Sequence, residues 1–155
     1  LLNPMPIATS SDIIDLSSEK KTEELANRIL KKIQIGHIIF LYGEMGVGKT
    51  TFIKYLINGL QNENKLELSE VTSPTFNLLN EYQINELKIN HYYLFRIKSS
   101  IELKNLDLFS DIQNAITVIE WPQIIEKKPK NLIELTFEYK EDHKRRSVQI
   151  KGLEL

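Results

Sequence analysis

The 155-residue chain has no cysteine, which removes disulfides, thiolate metal sites and cysteine nucleophiles in one step. It has almost no net charge: 20 Lys and Arg against 21 Asp and Glu give −1. The overall basic excess of a non-specific nucleic-acid binder is therefore missing, although a local patch is not excluded. No apolar run approaches the length of a membrane span, so no membrane association is expected. The first residues, Leu1-Leu2-Asn3-Pro4-Met5-Pro6-Ile7, have no basic segment and are broken by prolines, unlike a secretory signal. They also lack an initiator methionine, so residue 1 need not be the native start. A reducing cytoplasm is the expected compartment. With no repeat or low-complexity tract, 41% apolar and 26% charged residues fit a single compact domain over residues 1–155, its first 11 irregular. Glycine is scarce too, six in all. Three of the six fall in one octapeptide.

That octapeptide, Gly43-Glu44-Met45-Gly46-Val47-Gly48-Lys49-Thr50, has the phosphate-binding pattern G-x-x-x-x-G-K-[ST]. Its four constrained positions arise by chance in about one chain in two hundred of this length. The chemistry follows from the residue types. A glycine-rich turn at a helix start aims backbone N–H groups and the positive end of the helix dipole at a di- or triphosphate. Lys49 can reach the β/γ-phosphates, and the Thr50 hydroxyl can ligate Mg²⁺. With Thr51, residues Gly43, Glu44, Met45, Gly46, Val47, Gly48, Lys49 and Thr50 form the expected nucleotide-binding set. The flanks agree: His37 to Tyr42 is a β-branched and aromatic strand, and Thr51 to Leu60 has helical spacing. The alternative is a glycine-rich turn that happens to carry a lysine.

Elsewhere, Asp12 to Leu16 suits a short edge strand. Ser17 or Ser18 is a plausible helix cap before an amphipathic helix with Leu25, Ile29 and Ile33 on one face. Asn77 to Ile84 and Leu87 to Phe95 read as a hairpin about Asn85-Glu86. Ser100 to Leu108 suits a short helix, and Ala115 to Ile119 a strand buried on both faces. Leu132 to Tyr139 and Ser147 to Ile150 read as a second hairpin around a charged tip. Strands alternating with helices around a phosphate loop imply an α/β three-layer domain of the P-loop NTPase kind, mostly parallel with antiparallel hairpin additions.

Ligands in such sheets bind at the carboxyl ends of the parallel strands. Glu120 ends the Ala115–Ile119 strand, where it can complete a Mg²⁺ shell with Thr50, directly or through water. Its bland reading is a solvated acid at a strand end. The loop Thr72-Ser73-Pro74-Thr75 could answer to a γ-phosphate as switch segments do, or be an ordinary turn.

These residues resemble a known family. The phosphate loop, Thr72-Ser73-Pro74-Thr75-Phe76 with Asn80-Glu81-Tyr82, His91 to Arg96, and Ile119-Glu120-Trp121-Pro122 look like the TsaE (YjeE) ATPases. The resemblance runs from about Ser18 to about Tyr139. It implies an ATPase that acts in threonylcarbamoyladenosine modification of tRNA, joins the TsaD and TsaB proteins, and meets tRNA only through that complex. ATP or ADP with Mg²⁺ would be bound. Lys49 and Glu120 would be the catalytic residues, Thr50 and Glu120 the metal ligands, and Thr72, Ser73 and Thr75 a switch, with His91 and Trp121 lining the site. One departure stands out. The family's H-x-D-x-Y-R segment is here His91-Tyr92-Tyr93-Leu94-Phe95-Arg96, so Tyr93 holds the aspartate position. A phenol, neutral at pH 7, does not replace a carboxylate beside Mg²⁺.

Without the resemblance, His91 reads as a packed strand histidine alternating with Tyr93 and Phe95. Lys140, Lys144, Arg145 and Arg146 form a small basic cluster that could touch tRNA but reads better as a solvated hairpin tip, and Arg96 reads as a phosphate or partner contact or an ordinary salt bridge. A small-molecule kinase would use the same loop but usually needs lid arginines, and only Arg28, Arg96, Arg145 and Arg146 exist. A GTPase reading fails: Asn64-Lys65-Leu66-Glu67 follows the loop too soon and ends in glutamate. The remaining alternative is a nucleotide-gated assembly factor with little hydrolysis, which Tyr93 favours.

Overall fold

The computed structural model describes residues 13–155. The irregular start expected for residues 1–11, and Asp12 of the expected edge strand, lie outside the described residues. The strands are β1 (Ile13–Asp15), β2 (Ile38–Tyr42), β3 (Leu79–Ile84), β4 (Leu87–Tyr93), β5 (Ala115–Glu120), β6 (Leu132–Lys140) and β7 (Arg145–Lys151). They form one sheet in the order β1-β7-β6-β2-β5-β4-β3. The four inner strands β6, β2, β5 and β4 run parallel. Hairpin partner β3 at one edge, and β7 with β1 at the other, are antiparallel. This is an α/β fold with antiparallel additions on both sides of a parallel centre.

Composition decides which strand goes where. Every residue of β5 is buried, and β2 is buried except for its last residue, as central parallel strands covered on both faces require. The first six residues of β6 alternate between half-buried and buried, so one face is shut against the core. Helix α1 (Glu19–Leu30) starts at Ser18, whose hydroxyl accepts the Lys21 N–H at 3.2 Å, with Glu19 in the first turn against the helix dipole. Helix α2 (Lys49–Glu63) buries Phe52, Ile53, Leu56, Ile57 and Leu60. The two helices pack on the same face, and Gly59 permits their approach. A methyl group there would lie 2.4 Å from Leu30 Cδ1.

The opposite face carries α3 (Ser100–Leu106) and a 3₁₀ turn, Pro122–Ile124, over Ile38, Phe40, Tyr92, Leu94 and Ile119. The sequence suggests that α3 continues to Leu108. It stops earlier because Asp107 turns left-handed at φ 49°, and Leu108 is then buried in this second layer. Alternation along the strands fixes what faces α2. Ile116 and Val118 join the α1/α2 core, so Glu120 points the same way, and so do His91 and Tyr93 after Ile89. Tyr93 and Glu120 are cross-strand neighbours.

Candidate functional site at the phosphate loop

Between β2 and α2 the chain makes a loop that only glycine can make. Gly43 has φ 144°, and a Cβ there would lie 2.9 Å from both the Phe137 carbonyl oxygen and Val47 Cγ1. Gly46 and Gly48 also take left-handed φ values, 80° and 114°. Gly48 opens α2 without a side-chain cap, so the free N–H groups of the first turn face the loop. Lys49, the first residue of the helix, is only 4% exposed. Its ammonium donates to the Gly43 carbonyl and lies 3.9 Å from the centre of the Trp121 ring. Burial pulls the Lys49 pKa below its ordinary range, and the Glu120 carboxylate works in the other direction.

Glu120 is the hub on one flank. It is 2% exposed at the end of β5. Its Oε2 lies 2.7 Å from His91 Nε2 and accepts the Ser73 hydroxyl at 3.0 Å. Its Oε1 is 3.4 Å from Thr50 Oγ1, which is itself 2.7 Å from Ser73 Oγ. His91 is fully buried, and its Nδ1 has no partner among the described residues. The ring therefore donates from Nε2 to the carboxylate. A cavity of about 180 Å³ opens over this cluster, walled by Lys49, Thr50, Ser73, Tyr93, Glu120 and Trp121, with the loop backbone as its floor.

Six expected residues are thus brought together: Lys49, Thr50, Ser73, His91, Glu120 and Trp121. Met45, Gly46, Gly48 and Thr51 also line the cavity. The side chain of Val47 lies in the core, and Glu44 pairs outward with His143 at 3.3 Å, so neither presents its side chain to the cavity. Within the expected switch, Ser73 reaches the cluster and its neighbours do not. Thr72 is exposed and its carbonyl accepts from Asn80 Nδ2 at 3.1 Å; Thr75 is half-buried and bonds through its backbone N–H to Ser73 at 2.9 Å. Arg96 stacks 5.0 Å from the Phe76 ring, away from the cavity.

Tyr93 stands beside Glu120 on the cavity wall. Burial, and then the Glu120 charge, push its phenol above the ordinary range, against the pull of Trp121 and Arg96. It is neutral there. Among the described residues no group of three His, Cys, Asp or Glu side chains converges as a metal site.

The sequence reading missed the other flank. The β6–β7 hairpin leans over the loop: the Tyr139 hydroxyl donates to the Gly46 carbonyl at 2.7 Å and stacks on His143 with ring centres 4.3 Å apart. The expectation of a solvated tip agrees with the exposure of Arg146, which also reaches the loop. Lys140 and Arg145 do pair with their own hairpin's Glu138 and Glu141, whereas Arg146 lines the cavity beside Gly48. The signal was available. Tyr139 and Arg146 are cross-strand partners, each two residues beyond a buried residue of the core face, Phe137 and Val148.

Among the described residues no helix is long and apolar enough to cross a membrane. The family model described as "Threonylcarbamoyl adenosine biosynthesis protein TsaE" matches residues 16–148. The chain is 36% identical to a tRNA threonylcarbamoyladenosine biosynthesis protein TsaE of Rickettsia bellii, over 84% of this chain and 88% of that protein. It is 37% identical to the Borreliella burgdorferi protein of the same name, over 81% of this chain and 90% of the other. For the Aquifex aeolicus protein the identity is 35%, over 84% and 90%. The crystal structure of YdiB from Bacillus subtilis superposes with a TM-score of 0.67 over 92% of this chain and 86% of that one, at 19% identity, which speaks for the fold. A match that spans nearly every described residue, with relatives of similar length, places the chain in the TsaE family of threonylcarbamoyl adenosine biosynthesis proteins.

Proposed function

We propose that this protein binds and hydrolyses ATP in the threonylcarbamoyladenosine modification of tRNA, supporting turnover of a TsaD–TsaB transferase. The observation that carries the reading is the convergence of Lys49, Thr50, Ser73 and the His91–Glu120 pair on one cavity at the start of α2. Those donors fit a magnesium nucleotide. A glycine cradle meets the phosphates, and a hydroxyl with one carboxylate offers hard oxygen ligands that leave room for phosphate oxygens and water. Bound Mg²⁺ would supply charge neutralisation at the β- and γ-phosphates.

Each residue has a distinct task. Lys49 leaves the Gly43 carbonyl for the β/γ-phosphates. The Thr50 hydroxyl, now beside Ser73, would serve as a ligand to the cation. Glu120, held by His91, orients water or a metal-bound ligand at the γ-phosphate end. Partner assembly with TsaD and TsaB, contact with tRNA through that complex and a cytoplasmic setting complete the reading, and membership of the family supports them. Calorimetry with ATP and ADP tests it: Lys49→Ala should lower affinity at least about tenfold, since a charge-assisted phosphate contact is worth about 1.5–3 kcal/mol. Unchanged affinity would remove the loop from the mechanism. Size-exclusion chromatography with TsaD and TsaB, in ATP and in ADP, tests the partners, and no association in either state would refute them.

A second reading, a nucleotide-gated assembly factor with scant hydrolysis, is favoured by Tyr93, which leaves Glu120 as the one carboxylate lining the cavity among the described residues. Multiple-turnover assays with and without the two partners separate the readings.

A further inference from the structure

Arg146 is a cation at the phosphate loop that the loop motif does not account for. A methyl group placed on Gly48 would lie 3.6 Å from its Nη1. Its backbone is pinned on both sides. The Arg146 N–H donates to Ser17 Oγ at 3.2 Å, and its carbonyl accepts the Leu16 N–H at 2.8 Å. The side chain, by contrast, is exposed, and among the described residues its guanidinium has no carboxylate partner. It lies 5.9 Å from the centre of the Tyr139 ring. The chain thus anchors this residue and leaves its charge unspent.

Its place along the loop decides which phosphate it serves. Arg146, Gly48 and Thr51 also line a second cavity, with Ser17, Ser18, Glu19 and Thr22, that includes none of Ser73, Tyr93, Glu120 or Trp121. Arg146 therefore stands at the end of the loop away from the carboxylate hub. In a phosphate loop the lysine reaches the β/γ-phosphates and the Ser/Thr hydroxyl takes the cation, while the backbone cradles the α/β-phosphates. A guanidinium beside Gly48 and Thr51 faces the α/β end.

Building on the nucleotide-binding reading above, we propose that Arg146 is a nucleotide-phosphate ligand supplied by the β6–β7 hairpin, gripping the α/β-phosphates of a nucleoside di- or triphosphate. Two consequences follow from the position. ATP and ADP share those phosphates, so both gain equally. The contact is made away from the γ-phosphate, so it supports affinity more than rate. A planar fork that takes two phosphate oxygens is also more than a point charge, so lysine is an incomplete substitute.

The test is calorimetric titration of the full chain with ATP and with ADP, for the wild type and for Arg146→Ala, Arg146→Lys, Arg145→Ala and Lys49→Ala. Thermal melts and the hydrolysis rate at saturating ATP complete the set. Arg146→Ala should weaken both nucleotides by the same factor, about tenfold. It should melt as the wild type does and keep kcat within about twofold. Arg146→Lys should recover part of the loss, and Arg145→Ala should bind normally. Unchanged affinity in Arg146→Ala while Lys49→Ala binds weakly would overturn this inference alone. A loss confined to ATP, or a fall in kcat, would put the guanidinium at the γ-phosphate and overturn it as well. Failure of the wild type to bind either nucleotide would bring down both this inference and the nucleotide reading.

Discussion

The two flanks of the phosphate loop are held by different physics. On one side Glu120 and His91 project from the inner parallel strands, both almost wholly buried and hydrogen-bonded to one another, with Glu120 also accepting from Ser73. On the other, Tyr139, His143 and Arg146 reach over from an antiparallel hairpin; Tyr139 is half-buried, and His143 and Arg146 are exposed. A desolvated network is rigid, and it punishes the loss of any one member, because the partners left behind are cut off from water. Solvated tethers cost little to break, since water replaces what is lost. Groups that need fixed geometry sit on the first flank, and groups that need only to be nearby sit on the second.

The largest test of that contrast concerns the lysine between the flanks. Lys49→Met keeps the stem and removes a charge whose burial lowers its own pKa. Calorimetry should register a loss of ATP affinity of at least about tenfold, while thermal melting stays level or rises. A drop in melting temperature would mean that the ammonium holds the empty loop together.

The carboxylate flank comes next. Glu120→Ala strands the His91 ring and the Ser73 hydroxyl, and should cost about 1–3 kcal/mol in urea unfolding. Glu120→Gln keeps the shape and should lower single-turnover hydrolysis more than nucleotide affinity. Tyr93→Asp restores the family's carboxylate and should raise turnover and its Mg²⁺ dependence. It should also lower stability, because two like charges then face each other across neighbouring strands. If Glu120→Gln and Tyr93→Asp both leave the rate unchanged, neither position serves the metal or the water.

The hairpin flank should respond less. Tyr139→Phe removes one hydrogen bond, to the Gly46 carbonyl, and should cost no more than about 1 kcal/mol in the same unfolding assay. A cost as large as that of Glu120→Ala would erase the distinction between the flanks.

The smallest effect lies where β1 meets this hairpin. Lys21, then Ser17, hold the Asp15 carboxyl down at about 2 from an ordinary 3.8. A depressed carboxylate stabilises fully above the unfolded value, and that contribution is lost as pH falls through the folded one. Melting temperature should therefore fall between about pH 4 and pH 2, and Asp15→Asn should flatten that part of the profile slightly. An identical slope in the mutant would show that Asp15 contributes nothing.

Much of this was legible in the sequence because local rules sufficed. The loop announced itself by glycines whose conformation no other residue adopts cheaply, and Ala115–Glu120 by an unbroken apolar run ending in an acid. Ser18 sat three residues before the amide it caps. Ser73 and His91 were harder: their meeting at Glu120 depends on β4 lying beside β5, a pairing that no local pattern encodes. The family resemblance placed both residues at the site without giving that pairing. Arg146 was lost for a different reason. Four basic residues in a charged turn read as solvated surface, and Lys140, Lys144 and Arg145 do lie there. Which of the four faces the loop is set by the two-residue alternation carried outward from Val148, and a composition-based reading averages that alternation away.

The position of Trp121 has an optical consequence. It is the single tryptophan in the chain, held left-handed at φ 59° with the Lys49 ammonium 3.9 Å from its ring centre. A cation against the indole face shifts the energy of the excited state, so emission depends on where the lysine is. Any ligand that draws Lys49 away from the ring changes the intrinsic fluorescence of the whole molecule. The phosphate loop carries its own reporter, read without a label, and every variant that keeps both residues keeps the signal.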